Sequence, residues 1–356
     1  MIGRCDHKLI DIIVIAICAV ISGANTWVDI HEFGVAKQAW FSKFLELPNG
    51  IPSHDTIGRV FSMLDPVKFE ICFMNWIQAV FEVTQGQIIP VDGKTLRQSY
   101  DKKSKKAAIH MISAWGSKNG IVLGQLKTEE KSNEITAIPE LLNILDVTGC
   151  VITIDAMGCQ KAIAENIINN GADYVIAIKE NQPTLYNEIV DYMDDALSQG
   201  DKARALLDFH QTTNVDHGRE EIRRYYISDD IDSIESSVDW PGLNSIGMVE
   251  STRTVSGEST TTKRYYIASI DKNAEHFSIA NRTHWSVENS LHWNLDVSFR
   301  EDESRIRTEH GPNNFSVLRR IALNYLKSER TLKRGIEGKR NRAGWDSKYL
   351  EKVIGF

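Results

Sequence analysis

The spacing of apolar and polar positions divides the chain into stretches of different texture. Up to about residue 83 the apolar residues recur at helical intervals. "HKLIDIIVIAICAVISG" predicts a core helix ended by Gly23, and "TWVDIHEFGVAKQAWFSKFL" and "DPVKFEICFMNWIQAVFEV" predict further helices. Between the last two, "NGIPSHDTIGRVFSML" predicts a turn and a short amphipathic helix with Ser53 as N-cap. A short helix after a Gly/Pro turn is compatible with helix-turn-helix DNA binding and equally with an ordinary helical domain. At Gly86 the period changes. "QIIPVDGKTLR" predicts a strand ending in an acid, and "AAIHMISAWGSKNGIVLGQLKTEE" a hairpin turning at Asn119-Gly120. "NEITAIPELLNIL" predicts a helix and "CVITIDA" a buried strand, again ending in an acid. "CQKAIAENIINNGA" predicts a helix closed by Gly171, "DYVIAIKEN" a strand, and "PTLYNEIVDYMDDAL" a helix opening on Pro183. That order predicts an α/β fold, a sheet of mixed direction with flanking helices.

Residues 200–271 break the alternation. "EEIRRYYISD", "LNSIGMVESTRTV" and "TTKRYYIASID" are strand-like and predict a β-rich insertion. Helices resume from Glu275 to about Phe299 and from Asn313 to about Ser328. The expected organisation is an N-terminal helical domain over 1–84, a candidate for DNA binding, and an α/β domain over 85–328. The insertion at 200–271 interrupts that domain, and a basic tail covers 329–356.

Composition changes this picture little: 42% of residues are hydrophobic and 25% charged, ordinary for a globular protein. Five cysteines without a CxxC pair suggest reduced thiols, not a disulfide frame or zinc site. Leu9 to Ala24 imitates a signal peptide, yet it is short of the ~20 residues of a spanning helix and contains Asp11. It is expected to be a buried helix, and no other stretch is a membrane candidate. The net charge of -7 argues against a nucleic-acid partner, whose phosphates need a basic surface. The charge is uneven, however. From Arg319 and Arg320 onward come Lys327, Arg330, Lys333, Arg334, Lys339, Arg340 and Arg342. Such a tail can bind DNA, or can be a solvated helical surface.

Candidate chemistry lies in the acids. Asp92 and Asp155 each close an apolar run that predicts a central strand. An aspartate there is ordinarily a turn former or helix cap. If the first and fourth strands are neighbours, though, the two carboxylates meet, and a bound cation relieves their repulsion. A two-metal site, with ions ~3.5–4 Å apart, needs a third acid. Glu288 in "THWSVENSLHWNLDVSF" fits: on a helix, His284, Glu288 and His292 share one face. Val287, Leu291 and Leu295 can pack on the sheet, and the aromatic residues are expected to anchor the helix. The bland alternative is a surface acid beside a histidine. Asp296, Glu301 and Asp302 are rival third acids, and HxxxExxxH is not the HExxH of zinc proteases.

The ordered set "PVDGKTLRQS", "TIDAMGCQ", "YVIAIKENQPTL", "DHGREEIRRY", "RTHWSVENSLHWNLDVSFREDESRIR" and "NNFSVLRRIALNYLK" resembles the H-repeat-associated (Rhs-linked) insertion-sequence transposases, a branch of the DDE superfamily. The resemblance runs from about His7 to about Lys327. It implies an RNase H-like core with the β insertion placed before the last catalytic helix. It also implies metal-dependent cleavage and strand transfer at transposon ends, with Asp92, Asp155 and Glu288 as catalytic and metal-binding residues. The implied cofactor is a pair of Mg2+ ions, with Mn2+ as a substitute. The implied partner is double-stranded DNA, both terminal inverted repeats and target, bound by a homo-oligomer in the bacterial cytoplasm at the nucleoid. No membrane partner is implied. Related transposases carry Arg four residues before the glutamate and Lys seven after, where this chain has His284 and Leu295. The candidates for contacting DNA are therefore His284, Lys94, Lys179, Arg300, Arg319 and Arg320. Family members carry further residues ahead of "HKLIDI", so a longer N-terminus is expected. Two alternatives remain: an inactive remnant that binds DNA without cutting, and a cellular RNase H-like nuclease.

Overall fold

A computed structural model describes residues 6–80, 86–99, 108–128, 134–198, 205–216 and 218–355. The expected domain boundary at 84/85 and the start of the insertion at 200 fall outside the described residues.

The chain begins with five helices: α1 (Leu9–Ile21), α2 (Trp27–Ala36), α3 (Gln38–Phe41), α4 (His54–Met63) and α5 (Pro66–Val80). The signal-like segment is α1, and most of it is buried. Its one acid, Asp11, accepts a hydrogen bond from the Leu47 amide at 3.0 Å, which makes its burial tolerable. Ser53 caps α4 through the Thr56 amide, as its position predicted.

Among the described residues nine strands form one sheet in the order β3-β2-β1-β4-β5-β9-β8-β7-β6. β1 (Ile88–Thr95) pairs antiparallel with β2 (His110–Gly116) and parallel with β4 (Val151–Ile154). β3 (Ile121–Thr128) completes the hairpin with β2, and β5 (Asp173–Ile178) lies parallel to β4. The helices α6 (Glu134–Ile144), α7 (Lys161–Asn169) and α8 (Pro183–Ser198) follow β3, β4 and β5. These five strands have the arrangement of an RNase H-like core, with the first and fourth side by side.

The insertion continues the same sheet. It holds four strands, β6 (Asp208–Asp216), β7 (Arg219–Ser228), β8 (Ser245–Val255) and β9 (Glu258–Ala268), and β9 pairs antiparallel with β5. The pattern predicted three. β6 was missed because most of its side chains are exposed, so it shows no apolar alternation.

After the insertion come α9 (Ala274–Val287), α10 (Gly311–Ser328), α11 (Ile336–Trp345) and α12 (Ser347–Ile354). Helix α10 is buried over almost its whole length and packs against α1, α4, α5 and β3. One hydrophobic core therefore runs from α1 through the sheet to α12. The basic end of the chain forms helices α11 and α12, and two of its basic residues, Lys339 and Arg340, are buried and not solvated. Arg340 donates to the carbonyls of Val20 (2.9 Å), Ala24 (3.1 Å) and Ser298, and lies over the Phe299 ring. Burial lowers its guanidinium to about 9. No helix among the described residues is long and apolar enough to cross a membrane.

Candidate active site

The parallel register of β1 and β4 places Val91 opposite Ile154. The next residues, Asp92 and Asp155, therefore leave the sheet at the same edge. Asp92 is half-buried and accepts a hydrogen bond from the Gly93 amide at 2.9 Å. Asp155 is exposed, and its Oδ1 accepts from the amides of Met157 (3.0 Å) and Gly158 (3.4 Å). The cap expected of such an aspartate is thus real, and it also fixes where the carboxylate sits.

A buried pair beneath Asp92 escaped sequence reasoning. His110 on β2 bonds Glu134 at the start of α6 at 2.5 Å, and the Thr95 hydroxyl holds the other ring nitrogen at 2.9 Å. A Cβ on Gly93 would lie 2.5 Å from His110 Nε2 and 2.6 Å from Glu134 Oε1, so the glycine is required by close approach. No periodicity or motif marks Glu134, whose partner is 24 residues away.

Burial raises the Asp92 carboxyl, and Asp155, Glu134 and Glu288 push it further. Together they outweigh the Gly93 hydrogen bond and bring it to about 7. Three other acids thus act on Asp92, one of them Glu288 from a distant segment.

The helix bearing Glu288 differs from the expected one. Helix α9 ends at Val287, and two π-helical turns follow, Glu288–His292 and Asn294–Ser298. Such wide turns are rare and cluster at functional sites. The segment still lies along the sheet edge. His284 Nδ1 is 3.1 Å from Thr153 Oγ1 on β4, His292 Nδ1 is 3.6 Å from Asp92 Oδ2, and Asp296 bonds Lys94 on β1. Val287, Leu291 and Leu295 are buried, as their stripe predicted. The tryptophans do not anchor it: Trp285 is 37% and Trp293 55% exposed. Arg264 stacks on Trp285 at 4.5 Å. Burial lowers His292 to about 4, helped by Lys94 and Arg320, so its contact with Asp92 is not an ion pair at neutral pH. Burial also lowers His284, against the pull of Asp155.

Glu288 is exposed, and its charge raises the Asp92 carboxyl. Among the described residues no three His, Cys, Asp or Glu side chains already stand close enough to hold a metal ion. The donor chemistry nevertheless fits a hard divalent cation: the three groups are carboxylates, and those of Asp155 and Glu288 disfavour the charged form of Asp92.

Three of the residues expected to contact DNA are placed elsewhere. Arg319 and Arg320 are 2% and 0% exposed in α10, where no phosphate reaches them. Arg320 donates to Glu301 Oε1 at 3.0 Å, and Arg319 lies 3.8 Å from the same atom. Burial alone would raise Glu301, but Arg320, Arg319 and Lys94 hold it down at about 2. Lys94, 8% exposed, faces Asp296, Glu301 at 3.8 Å and Asp302 at 3.9 Å. The rival third acids Asp296, Glu301 and Asp302 all face Lys94 in this cluster. The patch of basic residues in the sequence hid this because the neutralising acids lie in other segments.

The remaining candidates are at the surface. Lys179 is exposed and, with Asp155, His284, Trp285, Lys263 and Arg264, lines a cavity of about 870 Å³. Arg300, exposed and paired with Glu303 at 2.6 Å, lines a second cleft of about 840 Å³ together with Arg59 and Arg305.

An RNase H-like sheet with acids at the ends of two adjacent parallel strands defines the class: the fold of DDE transposases. The "Transposase DDE domain" family matches residues 84–325 and the "DDE_Tnp_1-associated" family residues 2–77, and the chain belongs to the DDE transposase family. It is 43% identical to the "H repeat-associated putative transposase YhhI" of Escherichia coli K12, over 99% of this chain and 93% of that protein. It is 52% identical to the "Inactive transposase YbfQ" of the same strain over 56 residues, 16% of this chain and 67% of that protein. A piggyBac transposase synaptic complex with hairpin DNA aligns with 97% of this chain and 72% of its own, at 12% identity and a TM-score of 0.45. A likeness that loose carries no weight.

Proposed function

We propose that the protein is an insertion-sequence transposase that cuts phosphodiester bonds at the ends of its element and joins them to target DNA. The observation that carries this reading is the register of β1 and β4, which brings Asp92 and Asp155 out of the sheet at one edge, with the Glu288 segment touching Asp92 through His292. Asp92, Asp155 and Glu288 would hold two Mg2+ ions, or Mn2+. Such ions would supply charge neutralisation at the phosphate and a nucleophile made reactive at neutral pH. The protein's own part is positioning. Asp155 is fixed by its turn, Asp92 by the Gly93 amide, and Glu288 by the buried stripe beneath it. Neutral imidazoles at His284 and His292 fill the ground between the acids without adding charge. Lys179 and His284, which line the cavity beside Asp155, would meet one strand of a duplex, and Arg300, in the second cleft, would meet DNA further along. The freed 3'-hydroxyl would then attack the target strand at the same carboxylates. The protein would work at the nucleoid, on paired ends held by more than one copy.

The test is a cleavage assay on duplex DNA carrying the inverted repeats that border the gene, with Mg2+. Wild-type protein is expected to nick at the repeat ends, and Asp92→Asn and Asp155→Asn to lose at least ~1,000-fold in rate. Equal cleavage by Asp92→Asn would overturn the assignment. A second reading, a remnant that binds DNA without cutting, is favoured by one observation. Leu295, where related transposases carry a lysine, is fully buried and offers no phosphate contact. Retarded repeat DNA without nicking in the same assay would select it.

A further inference from the structure

We infer that Lys94 is a positioning residue: it clamps the π-helical segment that carries Glu288 to the strand that carries Asp92. The inference rests on the reading of Asp92, Asp155 and Glu288 as the reactive carboxylates.

Lys94 follows Asp92 by two residues and so lies on the same face of β1. Its ammonium bonds Asp296, which follows Glu288 by eight residues on the face that also carries His292. His292 meets Asp92 and Asp296 meets Lys94, so strand and helix are matched at two successive steps. The contact is buried on the lysine side and backed by Glu301, itself fixed by Arg320 on α10. Arg97 adds a 3.4 Å contact to Asp302 at the rim. π-helical turns are rare and appear mostly as single-turn bulges inside α-helices, so two in succession call for an outside restraint. Among the described residues, Lys94 is the strand-side cation that pairs with an acid of this segment, Asp296. The cluster joins three elements that share no sequence proximity: β1, the π segment and α10.

Simple electrostatics and the clamp predict opposite signs. Removing a positive charge near a carboxylate site should tighten cation binding. Removing a clamp should weaken it, because a misplaced carboxylate no longer reaches the ion. The experiment compares full-length wild type, Lys94→Met and the charge swap Lys94→Asp/Asp296→Lys. It measures hydrogen exchange of the amides at 288–298 and the dissociation constant for Mn2+ alone, read by its EPR signal. In Lys94→Met the 288–298 amides are expected to exchange at least ~10-fold faster, with α7 unchanged, and Mn2+ to bind ~10-fold more weakly. The swap is expected to recover most of both. Unchanged exchange at 288–298, or Mn2+ bound more tightly by a folded Lys94→Met, would overturn the clamp. If Lys94→Met does not fold, the swap decides: slow exchange at 288–298 supports the clamp and fast exchange overturns it. If exchange rises while wild type shows no Mn2+ binding, the clamp stands and the reading of the carboxylates fails.

Discussion

At the residue scale the protein places one carboxyl where it is costly. Asp92 stands near 7 because burial and other acids disfavour its charge. Its folded value lies above the unfolded one of ~3.9, so stability is lost as pH rises from about 4 to about 7. Asp92→Asn removes that loss. In chelator at pH 8 the variant is expected to be more stable than wild type, by on the order of 2–4 kcal/mol, in urea unfolding. Below pH 4 the difference should vanish. Added Mg2+ should raise the melting temperature of wild type and leave that of the variant in place. Beside it, Gly93→Ala drives a methyl into His110 and Glu134, and about 1–3 kcal/mol of destabilisation is expected from the same unfolding curves.

At the scale of elements, the sequence was informative wherever one face is buried. The acids at the ends of β1 and β4 could be read because "QIIPV" and "CVITI" are apolar enough to name central strands, and the sheet makes those strands neighbours. The stripe Val287, Leu291 and Leu295 correctly indicated a face packed on the core. What was not legible depended on partners outside the window. The π turns leave no trace in an i, i+4 pattern, the exposed β6 has no alternation, and Arg320 looked free because Glu301 lies elsewhere. The wide turns have their own test. Deleting the exposed Asn289 lets a π turn close to an α turn and rotates Glu288 by ~100° against His292. The deleted protein should melt cooperatively within a few degrees of wild type yet lose its Mg2+-induced stabilisation in the same thermal scans.

At the scale of the whole molecule, the N-terminal helices and the C-terminal segment share a core with the sheet. The segment read as a basic tail is a structural tie. Arg340 satisfies carbonyls at the end of α1 and at the end of the π segment with one guanidinium. Arg340→Ala leaves those buried carbonyls without their donor and opens a cavity over Phe299. A loss of about 3 kcal/mol or more is expected in urea unfolding, and hydrogen exchange should show α1 and 288–298 loosening together. If only α11 loosens, Arg340 ties nothing beyond its own helix.

That tie has a consequence for synthesis. Arg340 follows the end of α1 that it holds by 320 residues and the end of the π segment by 42, so α1 is synthesised long before its tie and the stretch bearing Glu288 only shortly before it. A ribosome stalled short of Arg340 would display α1 without the donor that satisfies the carbonyls at its end.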